Sequence, residues 1–246
     1  MEPKFSIPTE TVELPSKGLL YPKDSPLASG KIEMKYMTAK EEDILTNQNY
    51  IRNGTVIDRL LKSLIITEGV DYNSLLVGDK NAIMFAARVL SYGKDYSFIY
   101  NGENHTVDLS TLDLKFLDPK LVEEGKNEFN FDLPHTGNTL TFKLLTHNDE
   151  KSIDRELEGL KKLNKGSSPE VTTRLKRIIT SVNGTREQKD IRNFVDNFLL
   201  AKDARALRAE YQKINPDVNM KFNLSEEDGG EEVDLPIGLN FFWPDV

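Results

Sequence analysis

The chain contains no cysteine. That single absence removes disulfides, thiolate nucleophiles and cysteine-based metal sites together. It also lacks any apolar run of about 18 residues, the length a membrane helix requires. Its first twenty residues are interrupted by Pro3, Pro8 and Pro15, so neither a membrane span nor a signal peptide is expected. The expectation is an intracellular chain, or part of an assembly made inside a cell. Histidine is scarce too: His105, His135 and His147 are the only three, each in or beside a turn signal. No two sit at metal-ligand spacing on one element, so they read as ordinary surface histidines.

Catalytic loops are missing as well. There is no G-x-S-x-G elbow, although triads are recognised in space and a hydrolase would need one of the histidines beside a Ser or Asp in a cleft. No glycine-rich phosphate loop occurs. Gly229-Gly230 lies among Glu226, Glu227, Asp228, Glu231 and Glu232, which would repel a phosphate and lack calcium-loop spacing, so the stretch reads as a solvated acidic turn. A basic excess is also absent, since the net charge is -8 and the pI about 5.1. That argues against nucleic-acid binding, which needs cations to displace counterions. No catalytic, cofactor-binding or metal-binding residue is assigned, and the chain reads as a non-enzyme.

What is present is enough to fold. Over 246 residues, 38% are apolar and 29% charged, an ordinary globular balance. Residues 1–30 hold Pro3, Pro8, Pro15, Pro22 and Pro26 and read as an extended arm, because proline removes a backbone donor and bars an interior helix or central strand. Leu19, Leu20 and Tyr21 are costly to leave in water and suggest that the arm lies on something. Residues 31–93 alternate at Ile32, Met34 and Tyr36 as a strand. Thr38 to Glu41 then forms a capping box for a helix carrying Ile44 and Leu45, and Thr55 with Asp58 opens another along Ile57, Leu60, Leu61 and Leu64. Asp79 is placed to cap a third, whose face carries Ile83, Ala87 and Leu90 up to Gly93.

At residue 94 the period changes. Tyr96, Phe98 and Tyr100 alternate into Asn101-Gly102, a dipeptide suited to positive φ, followed by Val107 and Leu109: a β-hairpin. Leu112 to Leu117 reads as strand or loop. Phe129, Phe131, Leu133 and then Leu140, Phe142, Leu144 predict a second hairpin across a turn at residues 134–138, so residues 94–145 form a small sheet. Residues 146–215 read as a helical bundle in four pieces, opened at Thr146 with Asp149, near Val171, at Thr185 with Gln188, and at Asp203. The second piece bears Val171, Leu175, Ile178, Ile179 and Val182 and closes at Asn183-Gly184. The third stripes Ile191, Phe194, Val195, Phe198 and Leu199. Residues 216–246 form a terminal hairpin with Met220, Phe222, Leu224, Val233, Leu235 and Ile237, ending in Phe241, Phe242, Trp243 and Pro244. The fold class is α+β: helical layers, small antiparallel hairpins, a bundle and a C-terminal hairpin.

Two features suggest partner contacts. The aromatic end, Phe241, Phe242, Trp243 and Pro244, either folds onto its own core or anchors a partner, and the same choice stands for Leu19, Leu20 and Tyr21 in the arm. Arg174, Lys176, Arg177, Arg186, Lys189 and Arg192 make residues 174–192 mildly basic. They supply an alternative reading, a nucleic-acid-binding or packaging accessory, although Phe194 and Phe198 sit on the expected buried stripe rather than among the cations.

The runs LLVGDKNAIMFAARVLSYGKDYSF at 75–98, DLSTLD at 108–113, LPHTGNTLTFKLLTHNDE at 133–150 and LPIGLNFFWPDV at 235–246 together resemble the T4-type bacteriophage baseplate hub family. Its members are subunits or assembly chaperones of the hub of a contractile tail. The resemblance covers most of the chain from about residue 31 onward, in order. It implies a non-enzymatic role, with baseplate hub or tail proteins as partners, no membrane, and a place in the host cytoplasm during assembly or in the virion. Self-association is left open. Family relatives carry cysteine pairs in two hairpin turns, where a zinc ribbon would form. Here those turns read Asn101-Gly102-Glu103-Asn104 and 226–232, so the resemblance implies no zinc in this chain.

Overall fold

The structure, a computed structural model, describes residues 6–163, 169–223, 230 and 232–242. Its first pairing joins the proline-rich arm to the strand that follows it. Strand β1 (Thr9–Glu13) runs antiparallel to β2 (Lys31–Lys35), with Val12 opposite Ile32. The arm is therefore part of the body: Leu14, Leu20, Tyr21 and Leu27 are all buried. β1 lies at the edge of a two-stranded sheet, where the prolines of the arm are tolerated. Pro8 and Pro15 flank β1 rather than interrupt it, so no ladder donor is lost.

Helices α1 (Ala39–Thr46), α2 (Gln48–Arg52) and α3 (Val56–Leu64) follow, and then α4 (Val77–Tyr92). Leu60, Leu61 and Leu64 are fully buried, as the spacing along α3 requires. The hairpin beyond α4 has the expected register: β3 (Asp95–Tyr100) pairs β4 (Glu103–Asp108), placing Phe98 against His105 and Tyr100 against Glu103. Asn101 and Gly102 take φ of 50° and 88°, the left-handed pair that a two-residue hairpin demands. Tyr96 and Phe98 stack at 5.4 Å, and Phe98 lies 5.9 Å from the His105 ring.

The stretch around Leu114 is a strand. β5 (Leu114–Lys115) pairs the distant β9 (Asp217–Val218), a contact no local pattern could announce. β6 (Phe129–Asp132) and β7 (Thr139–Phe142) form the second hairpin, and a third strand, β8 (Ile179–Val182), completes that sheet. β8 overturns the single helix expected across 171–182. Helix α6 (Glu170–Ile178) stops at the β-branched run Ile179-Thr180, which extends beside β7. Asn183-Gly184 then makes a tight turn in which Val182 and Thr185 exchange backbone bonds of 2.9 Å. Thr185 is engaged there, and α7 (Gln188–Asn197), with Glu187 at its N-cap, starts two residues later than a Thr185 cap would place it.

Helix α5 (His147–Leu163) precedes α6, and α8 (Ala201–Ile214) follows α7. Phe198 lies past the end of α7 and is 60% exposed, so the buried stripe is Ile191, Phe194 and Val195 alone. The chain ends with β10 (Lys221–Asn223) against β11 (Glu232–Asp234), register Phe222 to Val233, and a 3₁₀ turn at Leu239–Phe242. The fold is α+β, with small antiparallel sheets between helices. Buried side chains from Leu14 to Phe242 form one continuous cluster spanning the expected divisions at 30, 93, 145 and 215.

Candidate interaction surfaces

An acidic residue stands at the third position of six helices: Glu41, Asp58, Asp79, Asp149, Asp190 and Asp203. A helix N-terminus presents unpaired N–H groups and a positive dipole end, which favour a carboxylate there. Glu41 accepts from the Thr38 N–H (3.0 Å) and hydroxyl (2.6 Å), and from Lys35 (2.7 Å). Asp149 accepts from the Thr146 N–H and hydroxyl and from Lys143. These two caps match the sequence.

Asp58, Asp79 and Asp203 instead reach beyond their own helices. Asp79 is fully buried and turned away from its own helix, accepting from the Ser16 N–H (2.9 Å), the Ser16 hydroxyl (2.6 Å) and the Tyr21 hydroxyl (2.6 Å). It clamps the arm, and burial pushes its carboxyl above the ordinary aspartate range. Asp203 is equally buried and holds the 134–138 turn, accepting from the backbone N–H groups of His135 and Thr136 and the Thr136 hydroxyl, with His135 Nδ1 at 3.0 Å.

Asp58 forms the densest cluster. Its Oδ2 lies 2.9 Å from His147 Nε2, while Oδ1 accepts from Lys80 (2.9 Å) and Tyr72 (3.1 Å). His147 is buried, not on the surface, because its position at the start of α5 faces α3 and α4. Lys80 Nζ is 3.1 Å from His147 Nδ1 and an ammonium can only donate, so Nδ1 accepts and Nε2 carries the proton toward Asp58. Burial pushes the Asp58 carboxyl up, but the His147 and Lys80 bonds outweigh it and hold it well below the usual carboxylate range. The group is a closed polar staple between the two halves of the chain. Among the described residues, no three His, Asp or Glu side chains converge as a metal site.

The expected anchors are accounted for in the same way. Leu20 and Tyr21 are buried and Leu19 packs partly against the core. Phe241 and Phe242 have no exposed surface: Phe241 meets Phe85 at 5.1 Å and Tyr96 at 5.0 Å, edge to face. Of the two options for the aromatic end, the structure takes the core for this pair, since two phenyl rings lose most when left in water. Trp243 and Pro244 lie outside the described residues, as does most of the acidic turn. On the basic surface, Arg174 binds Glu150 and Glu170, Lys176 binds Asp196, and Arg186 binds Glu128, so half of its cations already face carboxylates.

Clefts open on the surface of the described residues, two of them apolar. One of about 320 Å³ lies between α6 and α8 over Leu145, Leu175 and Tyr211, and the Arg174 to Glu150 pair lines it. The other, about 310 Å³, lies between β1 and α4, floored by Phe85, Val89, Leu90, Leu112 and Leu114. No motif in the sequence pointed to the second, because it is built from segments far apart in the chain. No helix among the described residues is long and apolar enough to cross a membrane. Compared with family models, with curated proteins and with solved structures, the chain gives no match.

Proposed function

We propose that this chain is a non-enzymatic structural subunit or assembly chaperone of the baseplate hub of a contractile-tailed bacteriophage, acting through protein contacts. One observation carries the proposal: the four stretches that bear the resemblance pack against one another. Val77 N–H donates to the Leu145 carbonyl (3.0 Å), and His147 N–H to that of Leu75 (2.8 Å). Leu109 N–H donates to the Lys94 carbonyl (2.8 Å), and the Tyr96 hydroxyl reaches the Pro236 carbonyl (2.7 Å). Packing of these segments on one core supports reading the resemblance as one of the whole chain.

The test is affinity capture of the tagged full-length chain from phage-infected cells, read by mass spectrometry. Hub or tail proteins are the expected catch, and recovery of none of them ends the proposal. Assaying purified particles for the chain then separates a subunit, which stays, from a chaperone, which leaves.

A further inference from the structure

The hydrogen-bond parity of β1 singles out one edge of the molecule. Leu14 N–H bonds the Gly30 carbonyl and Tyr36 N–H bonds the Pro8 carbonyl, so the even-numbered residues of β1 face β2. The odd-numbered residues therefore aim their backbone groups the other way. Pro15 confirms the direction, since its carbonyl accepts from Leu117 N–H on that outer side. Beyond Pro15 the edge is open: among the described residues, the N–H and C=O groups of Thr9, Thr11 and Glu13 have no hydrogen-bond partner. The opposite edge of the sheet is closed, because Glu33 bonds Ile66 and Thr67.

An unpaired strand edge is a template for another strand, and proteins normally blunt it with lysine, proline or a covering loop. Here none lies within Thr9–Glu13, and all but Val12 of its residues are exposed. The edge runs instead along the apolar cleft floored by Phe85, Val89 and Leu112. Among the described residues, the charged ones lining that cleft are Glu10 and Glu13. Glu13 has a single exposed contact with Lys31 at 3.8 Å, too long and too wet to neutralise it.

From these observations we infer that the outer edge of β1 is a strand-addition site, which takes an extended segment of another protein whose apolar residues alternate with lysine or arginine. Main-chain bonds to Thr9, Thr11 and Glu13 supply affinity, the cleft takes the apolar side chains on the Val12 face, and Glu13, on the other face, selects the cations. The site stands independently of the phage reading, because it is argued from backbone geometry and local charge alone.

The experiment titrates the full-length chain against a labelled seven-residue peptide alternating lysine and valine, read by fluorescence anisotropy, with a glutamate–valine peptide for comparison. Binding of the lysine peptide alone is expected. Thr11→Pro deletes one outward N–H without touching the β1–β2 ladder and should weaken binding about tenfold or more, while Thr11→Ala should not. Glu13→Lys should reverse the peptide preference. Should Thr11→Pro disturb the fold, amide exchange on the unaltered chain replaces it: the Thr11 and Glu13 amides must slow when peptide is added. Equal binding of both peptides, no binding up to about 1 mM, or unchanged exchange at Thr11 overturns the inference. So does a β1-dependent homodimer in sedimentation, which would make a second copy the occupant.

Discussion

Tyr21 and Asp79, 58 positions apart, share a 2.6 Å hydrogen bond, and the same tyrosine oxygen accepts from the backbone N–H of Leu76 at 2.9 Å. One phenol thus satisfies both the third residue of α4 and the residue that precedes the helix. Tyr21→Phe keeps the ring and removes only this bridge, leaving a buried carboxylate and a buried N–H short of a partner. The expected loss is about 1–3 kcal/mol of unfolding free energy by denaturant titration. An unchanged midpoint would mean that the arm is held by apolar contact alone.

Gly78 and Gly159 form an opposed pair. A Cβ on Gly78 would stand 1.8 Å from the carbonyl oxygen of Pro216, so α4 and the chain entering β9 touch backbone to backbone there. Gly78→Ala is expected to destabilise by about 1–3 kcal/mol or more. At Gly159, within α5, nothing lies within 4 Å of a built Cβ. Gly159→Ala should therefore stabilise by about 0.5–1 kcal/mol through lower chain entropy in the unfolded state. Melting both variants side by side checks the sign as well as the size.

Phe241 is enclosed by Phe85, Tyr96 and Phe242. Phe241→Ala should cost about 3–5 kcal/mol, and truncation after Asn240 more than that. If instead truncation leaves the melting curve alone and abolishes only capture of a tail protein, the aromatic end is an anchor and its place in the core is wrong.

Acid should unfold this protein through Glu41 and Asp58, two helix-start carboxylates that the fold holds low. Burial raises the Glu41 carboxyl, but bonds from Lys35 and Thr38 dominate and bring it down to about 2. Asp58 is likewise held low by His147 and Lys80. A carboxylate whose folded value is depressed contributes stability above its unfolded value, about 4 for these groups, and loses it as the pH falls toward the folded value. Denaturant midpoints should hold from pH 7 to about 5 and decline below about 4. Glu41→Gln should start lower and decline less steeply across that window. Parallel curves for the two proteins would remove Glu41 from the account.

Local chemistry settled much of this chain by itself. Asn101-Gly102 demanded positive φ, and the alternation of Tyr96, Phe98 and Tyr100 set the face of β3, because a two-residue turn fixes register with no help from elsewhere. The pairings Thr38 with Glu41 and Thr146 with Asp149 likewise lay within one helical turn and needed nothing remote. Tertiary structure decided whatever depended on a distant partner. Asp58, Asp79 and Asp203 were legible as acids near helix starts, but their partners lie 89, 58 and 68 residues away, and nothing local distinguishes a cap from a clamp. Ile179 to Val182 could have continued a helix until β7 offered a ladder. The open edge of β1 is the extreme case. Its hydrogen-bond parity comes from β2, its floor from α4 and the 109–114 segment, and its end from Leu117, so it exists only once four separate stretches have met.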